Sequence, residues 1–75
     1  MTGVRKRSVE IAGHRTSVSI EAPFWDALRE IALDQGLSIN EAIARIDASR
    51  NGNLSSAIRL FILESLMARR GGERN

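Results

Sequence analysis

The 75-residue chain has no cysteine, no tyrosine and a single histidine, His14. Disulfide bridges are therefore excluded, and the cysteine and histidine ligands of a structural zinc site are missing. For catalysis, cysteine and tyrosine are absent, histidine occurs once, and no carboxylate pair is placed as in a catalytic cleft. Since a glycine-rich phosphate loop is lacking as well, the sequence predicts a protein that is not an enzyme and needs no metal or cofactor.

Long apolar runs are absent too, both for a membrane span and for an N-terminal signal peptide. We therefore expect a soluble cytoplasmic protein without a membrane partner. Hydrophobic residues make up 43% of the chain, which is enough for a folded domain. A single core of this size barely offsets chain entropy, and without disulfides or metal the remaining stabiliser is oligomerisation. The composition predicts a homodimer.

Positive charge is concentrated at the two ends of the chain. The net charge is +2, but residues 1–15 carry +3, residues 16–68 carry −3 and residues 69–75 carry +2. Near the N-terminus the cations are Arg5, Lys6 and Arg7, followed by Arg15. Such clustering is typical of a surface that binds an anionic partner. We interpret residues 1–6 as a flexible basic arm and Arg5, Lys6 and Arg7 as candidate phosphate contacts.

Residues 15–20 alternate between polar and apolar side chains, as a half-buried β-strand does. Thr16, Val18 and Ile20 fall on one face, and Arg15, Ser17 and Ser19 fall on the other. Because helical patterns dominate after Pro23, we expect this strand to pair antiparallel with its copy in a second chain. The polar face of such a two-stranded ribbon would reach base edges in the major groove of DNA.

Residues 7–11 alternate similarly and form a possible first strand. Ala12, Gly13 and His14 separate this segment from the main strand. The segment either folds back as a hairpin or continues through a bulge at Gly13. The pattern leaves both alternatives open.

Three helical segments follow. The first starts near Pro23 and stops at Gly36, since proline suits a first helical turn and glycine a helix end. Ser38 and Glu41 form the two ends of a capping box that opens the second helix, which should end by Arg50. Turn residues 51–53 precede the third helix, which begins at Leu54 with Asn53 as its cap. Residues 7–70 thus form the domain, and residues 71–75 are expected to be a flexible tail.

The third helix is apolar on nearly all sides, with Leu, Ile, Phe and Met leaving only a narrow polar strip. A helix of this kind must be buried nearly all round. In so small a chain, we expect one side to contact the chain's own helices and the other a partner chain. The predicted dimer core comprises Val18, Ile20, Trp25, Ile58, Phe61 and Ile62.

One strand followed by a helix and then G-L-S-I-N-E-A-I resembles the ribbon-helix-helix DNA-binding proteins of the Arc/MetJ type. This resemblance covers about residues 15–47. More narrowly, K-R-S-V-E-I-A-G-H-R-T-S-V-S-I-E, F-W-D-A-L and G-N-L-S-S-A-I-R-L-F are similar to a short bacterial ribbon-helix-helix subfamily, over nearly the whole chain. The implied fold is mainly α with a short N-terminal strand, in an intertwined homodimer with an interchain ribbon and three helical segments per chain.

The resemblance also implies site residues. Base contacts fall to Arg15, Ser17 and Ser19, and phosphate contacts to Ser38, Ile39 and Asn40 at the start of the second helix. Free N–H groups and the helix dipole make such a start favourable for an anion in any protein. However, G-N-L-S-S-A-I-R also looks like the opening of the family's second helix, so Asn53, Ser55 and Ser56 are the alternative phosphate contacts.

The sequence therefore predicts a sequence-specific DNA-binding protein, a transcriptional regulator or repressor whose partner is double-stranded DNA. The alternative is a protein-interaction module or an antitoxin that uses the apolar C-terminal helix to bind a protein partner. Phosphate binding weakens steeply with salt, whereas apolar docking does not, so salt dependence separates the two.

Overall fold

The computed structural model describes residues 3–49 and 52–73, with side chains described up to residue 69. Strand β1 spans Val4–Ile11 and strand β2 spans His14–Glu21. Three helices follow: α1 over Ala22–Asp34, α2 over Ile39–Ser49 and α3 over Leu54–Glu73. The two strands form one antiparallel sheet, and all three helices contribute to the core beneath it.

The strands belong to one hairpin, which decides between the two alternatives for residues 7–11. Its register pairs Ile11 with His14 at the turn and Val4 with Glu21 at the open end. The two loop residues, Ala12 and Gly13, both have positive φ, at 52° and 82°. Two such residues produce a turn whose twist matches that of the flanking strands. Strand β2 therefore has β1 as its partner within the chain, along one of its two edges.

Alternation along β2 is confirmed. Val18 and Ile20 are buried and Thr16 is half-buried on the inner face, together with Val9 of β1. Beneath them lie Trp25, Leu28 and Ile31 of α1, Ile43 and Ile46 of α2, and Ile58 and Ile62 of α3. Each fully buried Leu or Ile contributes roughly 1.5 to 3 kcal/mol relative to an exposed one. This core forms within a single chain.

The helix boundaries follow the predicted signals. Gly36 has a φ of 72° after α1, and the N–H of Leu37 donates to the carbonyl of Ala32 at 2.8 Å. This arrangement ends a helix with a left-handed glycine and satisfies its last carbonyls. The capping box of α2 is also present: Ser38 N–H donates to Glu41 Oε1 at 2.8 Å, and Glu41 N–H donates to Ser38 Oγ at 3.1 Å.

Both termini of the domain differ from the expectation. Strand β1 begins at Val4, so residues 4–6 lie in the sheet instead of in a flexible arm. Helix α3 continues to Glu73 through two glycines, where we expected a flexible tail after residue 70. Four parts of these predictions lie outside the described residues: residues 1–2 of the arm, residues 74–75 of the tail, Arg50 at the predicted end of the second helix and Asn51 of the predicted turn.

Candidate nucleic-acid interface

The hairpin presents one polar face away from the core. We call this the outer face, and its side chains are those of Lys6, Ser8, Glu10, Arg15, Ser17 and Ser19. The cross-strand pairs are Lys6 with Ser19, Ser8 with Ser17 and Glu10 with Arg15. All six except Ser19 are exposed, and Ser19 is half-buried. Two predicted base contacts, Arg15 and Ser17, therefore lie on an open polar surface, and Ser19 lies on the same face closer to α3.

Ser19 is less accessible because α3 bonds to its backbone. Its N–H donates to Ser55 Oγ at 3.2 Å, and its carbonyl accepts from Arg59 Nη2 at 3.3 Å. In an antiparallel pair, the N–H and C=O of one residue point to the same side, and successive residues alternate. The backbone N–H and C=O groups of Arg15 and Ser17 therefore point in the same direction as those of Ser19, towards the edge of β2 that faces away from β1. We call this the outer edge of β2. Among the described residues, the hydrogen bonds from α3 to this edge are those at Ser19.

Glu21 ends β2 and binds the same arginine. Arg59 donates to Glu21 Oε1 through both Nε and Nη2, at 3.0 and 2.9 Å. The Arg59 guanidinium also lies 5.9 Å from the centre of the Phe24 ring. A hydrogen bond from the backbone N–H of Glu21 and those from Arg59 lower the pKa of its carboxyl. The carboxylate at the end of the strand is thus paired with Arg59 of α3.

The three N-terminal cations take different positions. Lys6 is on the outer face, whereas Arg5 and Arg7 alternate to the other side, opposite Ile20 and Val18. Arg5 is still exposed. Arg7 is half-buried with its guanidinium 4.8 Å from the centre of the Trp25 ring. Its Nε is buried without a hydrogen-bond partner among the described residues. Of the three, only Lys6 has both the exposure and the direction of the outer face.

The N-termini of α2 and α3, which are the two alternative phosphate sites, both lie beside the hairpin. Asn40 Oδ1 at the start of α2 accepts from the N–H of Glu10 at 3.4 Å, and Ser38 and Ile39 lie next to it. At the start of α3, Asn53 Oδ1 accepts from the N–H of Ser56 at 3.1 Å, which confirms the predicted cap. Helix α2 therefore approaches the edge of β1, and helix α3 approaches the edge of β2.

The two starts differ in charge. Glu41 lies in the first turn of α2, and hydrogen bonds from the backbone and the hydroxyl of Ser38 lower its pKa, so it is a carboxylate at neutral pH. The first turn of α3 has no acidic residue. A carboxylate already bound at a helix start competes with a phosphate for the same N–H groups. The start of α3 is therefore the more favourable of the two for an anion.

The residues predicted for the dimer core are already packed within one chain. Val18, Ile20, Trp25, Ile58 and Ile62 are buried there, and Phe61 is half-buried against them. The outward side of α3 instead carries Leu60, Leu63, Leu66 and Met67. The all-round apolar pattern of α3 indicated two buried sides, but it did not identify which residues belong to each.

Sequence reasoning missed three residues of this region. Ser8 and Glu10 reach the outer face because β1 pairs with β2, and the alternation of residues 7–11 was the available signal. Arg59 carried no local signal, since its partners Glu21 and Ser19 lie 38 and 40 positions away along the chain. Among the described residues, no cluster of His, Cys, Asp or Glu is suited to a metal ion.

The same part of the chain contains no helix with the length and apolarity that a membrane span requires.

A family model described as a ribbon-helix-helix domain matches residues 4–66. This domain is a non-enzymatic, DNA-binding fold whose members form dimers and generally act as transcription regulators. No curated protein and no solved structure matches the chain. The match includes both strands, α1, α2 and most of α3, and the observed order of two antiparallel strands and three helices is consistent with one subunit of such a dimer. The chain therefore belongs to the ribbon-helix-helix domain family.

Proposed function

We propose that this protein is a homodimeric, sequence-specific transcriptional regulator, a repressor of the bacterial ribbon-helix-helix type, whose hairpin enters the major groove of DNA. The observation that carries the proposal is the outer face, an exposed two-stranded polar surface with Arg15 and Ser17 beside Lys6 and Ser8. A two-stranded ribbon fits the major groove, and an arginine there can donate two hydrogen bonds to a guanine.

Within this proposal, Arg15 and Ser17 contact bases, and Ser19 lies at the margin of the contact. Lys6 binds a phosphate as a mobile point charge. The N–H groups at the start of α3, near Asn53, Ser55 and Ser56, bind a second phosphate. This start is preferred over that of α2 because Glu41 opposes an anion at Ser38, Ile39 and Asn40.

The interchain ribbon fits one edge of this hairpin. The outer edge of β2 offers the backbone groups of Arg15 and Ser17, while those of Ser19 are bonded to α3. A second chain could pair antiparallel along this edge, with Arg15 opposite the partner's Ser17. The interchain hydrogen bonds would then use the backbone N–H and C=O groups of Arg15 and Ser17 and leave those of Ser19 bonded to α3. Such pairing would place the two β2 strands side by side as a central two-stranded ribbon that carries Arg15 and Ser17 of both subunits, with one β1 strand on each flank.

Fluorescence anisotropy of random duplex DNA at two salt concentrations tests the proposal. We expect binding whose affinity falls steeply with salt, with a slope of about −0.9 per phosphate contact. Selection from the same pool should then enrich a sequence with two related half-sites, because a two-fold dimer reads a palindrome. If the folded protein fails to bind DNA at low salt, the proposed function is wrong.

A protein-interaction module or antitoxin is the second candidate function. The exposed apolar side chains of α3 favour it. Apolar docking of a foreign protein would depend little on salt, so the two-salt comparison also separates this candidate from DNA binding.

A further inference from the structure

Ser8 lies in the middle of the outer face, directly opposite Ser17, and is exposed. In an antiparallel pair, side chains directly opposite each other have Cβ atoms about 5 Å apart. Diagonal neighbours are about 7 to 8 Å away, still within reach of long side chains. Lys6 lies two positions earlier on the same strand, and Arg15 lies on the diagonal across the hairpin. A group attached to the Ser8 hydroxyl would therefore be within reach of both cations of the outer face.

The backbone of Ser8 faces the edge of β1 that points away from β2. At this edge the N–H of Glu10 donates to Asn40 Oδ1 at 3.4 Å. Because the backbone groups of a strand alternate in direction, those of Ser8, two positions earlier, point the same way. Among the described residues, the hydrogen bond from a helix to this edge is the one at Glu10. An enzyme that binds its substrate as an extended segment can therefore pair with β1 at Ser8 while the hairpin stays closed.

Three cations directly precede Ser8 along the strand. They are Arg5, Lys6 and Arg7, and residues 3–8 include no acid. Arg5 and Lys6 are exposed, whereas Arg7 is half-buried. A serine that follows exposed cations is complementary in charge to a protein kinase whose peptide-binding groove is acidic.

Ser17 is the other central serine of the outer face, but it is a poorer acceptor than Ser8. Its backbone groups point to the outer edge of β2, where the proposed interchain ribbon forms. Among the three residues before it, Arg15 is the one with a permanent charge. Both the open edge of β1 and the preceding cations therefore favour Ser8 over Ser17 as a substrate for such a kinase.

A phosphate on Ser8 reverses the sign of the charge on the outer face. Lys6 and Arg15 give this face two positive charges and Glu10 gives it one negative charge, so its net charge is +1. Phosphoserine adds about −1.5 to −2 at pH 7, which makes the face negative. The phosphate also accepts charge-assisted hydrogen bonds from Lys6 and Arg15. These are side chains proposed to bind DNA, so repulsion of DNA and loss of its contacts act in the same direction.

We propose that Ser8 is a phosphorylation site, at which an ATP-dependent serine kinase with an acidic substrate groove prevents the protein from binding DNA. The inference rests on the proposed function, since it concerns regulation of the same outer face. In the transfer, Ser8 Oγ attacks the γ-phosphorus of ATP, and the bond from that phosphorus to the bridging oxygen of ADP breaks. The hydroxyl proton passes to a carboxylate of the kinase. A phosphatase that hydrolyses phosphoserine to serine and inorganic phosphate restores DNA binding.

The first test determines whether the folded protein accepts a phosphate at Ser8. The full chain is incubated with ATP, Mg²⁺ and a serine kinase that prefers basic substrates, and tandem mass spectrometry locates the phosphate. We expect a single phosphate, on Ser8. The Ser17→Ala variant should accept it equally well, whereas Ser8→Ala should not. A folded protein whose Ser8 stays unmodified, or which is modified on Ser17 instead, would overturn the inference.

The second test measures the anisotropy of random duplex DNA with protein before phosphorylation, after it, and after phosphatase treatment. Phosphorylation should weaken binding about tenfold at low salt and less at high salt, because nearly two charges that repel the DNA phosphates are added. Phosphatase treatment should restore the original affinity. Ser8→Ala protein taken through the same steps should keep one affinity throughout, which assigns the effect to Ser8.

The outcomes of the second test separate this inference from the proposed function. If the unmodified protein binds DNA and a phosphate on Ser8 leaves the affinity unchanged, the inference is wrong and the function stands. A phosphorylated protein that has unfolded, as judged by circular dichroism, would also overturn the inference alone. If the unmodified protein fails to bind DNA at low salt, the proposed function is wrong, and regulation of DNA binding at Ser8 is refuted with it.

Discussion

Arg59 binds Glu21 through two nitrogens on one carboxylate oxygen, at 3.0 and 2.9 Å, and thereby ties α3 to the end of β2. The same guanidinium reaches the carbonyl of Ser19, and Ser55 accepts from the N–H of that serine. The orientation of the hairpin relative to the start of α3 therefore depends on a few side chains that join distant parts of the chain. Because these two elements carry the proposed base and phosphate contacts, the ion pair sets their relative position.

Arg59→Ala should lower the Tm at neutral pH by a few degrees, with the transition followed by the fluorescence of Trp25. The pKa of Glu21 is lowered in the folded state, so its contribution to stability is present above the ordinary glutamate pKa of about 4.3. This contribution is lost as the pH falls through the lowered folded-state pKa. The Tm difference between parent and variant should therefore shrink in acid.

The control for this ion pair is Arg69→Ala. Arg69 binds Asp34 at 2.8 Å, but both side chains are largely exposed. Surface pairs of this kind contribute about 0 to 1 kcal/mol. We expect almost no change in Tm at either pH, and an equal loss in the two variants would contradict a special role for Arg59.

Val18→Asp should unfold the protein. Val18 is 2% exposed on the inner face of the hairpin. A carboxylate buried there without a partner costs about 4 kcal/mol or more, from the pKa shift that such burial imposes. Ser17→Asp is the matched control on the opposite face: it should fold normally by circular dichroism and lose DNA binding. A folded Val18→Asp protein would show that the hairpin does not belong to the core.

Arg15→Ala and Lys6→Ala should separate base contacts from phosphate contacts. Loss of Arg15 should reduce the preference for the selected DNA sequence by about 1 to 3 kcal/mol and leave the dimer intact. Loss of Lys6 should weaken binding equally for all DNA sequences. It should also reduce the steepness of the dependence of log K on log salt concentration by about 1 per phosphate contact removed. Competition anisotropy with selected and random duplexes measures both. Unchanged sequence preference in Arg15→Ala would refute its assignment to bases.

Glu10→Gln should strengthen DNA binding. Glu10 lies on the outer face opposite Arg15, where its charge repels the phosphates. Removing one such charge should raise affinity by about threefold at low salt, and less at high salt. Glu30→Gln is the control for overall charge: Glu30 is exposed on α1, and its substitution changes the net charge of the protein by the same amount. Equal gains in the two variants would mean that net charge, and not position on the outer face, controls affinity.

The helices were predictable because their signals are local. A capping box at Ser38 and Glu41 and a glycine at position 36 fix helix ends within a few residues of chain. The choice between a hairpin and a strand continuing through a bulge at Gly13 was not predictable, since Ala12 is an unusual residue for a hairpin turn that requires positive φ. Nor was the contact of Arg59 with Glu21, because it depends on how α3 packs against the sheet.

The candidate site was predictable only in its central part. Alternation along β2 was enough to place Arg15 and Ser17 on one exposed face. The position of Arg7 over Trp25 required the register of the hairpin, which no local pattern contains. The choice between the starts of α2 and α3 as phosphate sites likewise required their positions beside the two strand edges.

The contact between the hairpin and DNA is tested most directly by an NMR titration of the ¹⁵N-labelled protein with its selected DNA duplex. We expect the amide signals of Lys6, Ser8, Arg15 and Ser17 to shift first and most, together with those at the start of α3. Unchanged hairpin signals in a protein that binds DNA would refute a hairpin contact and move the DNA-binding site to another surface.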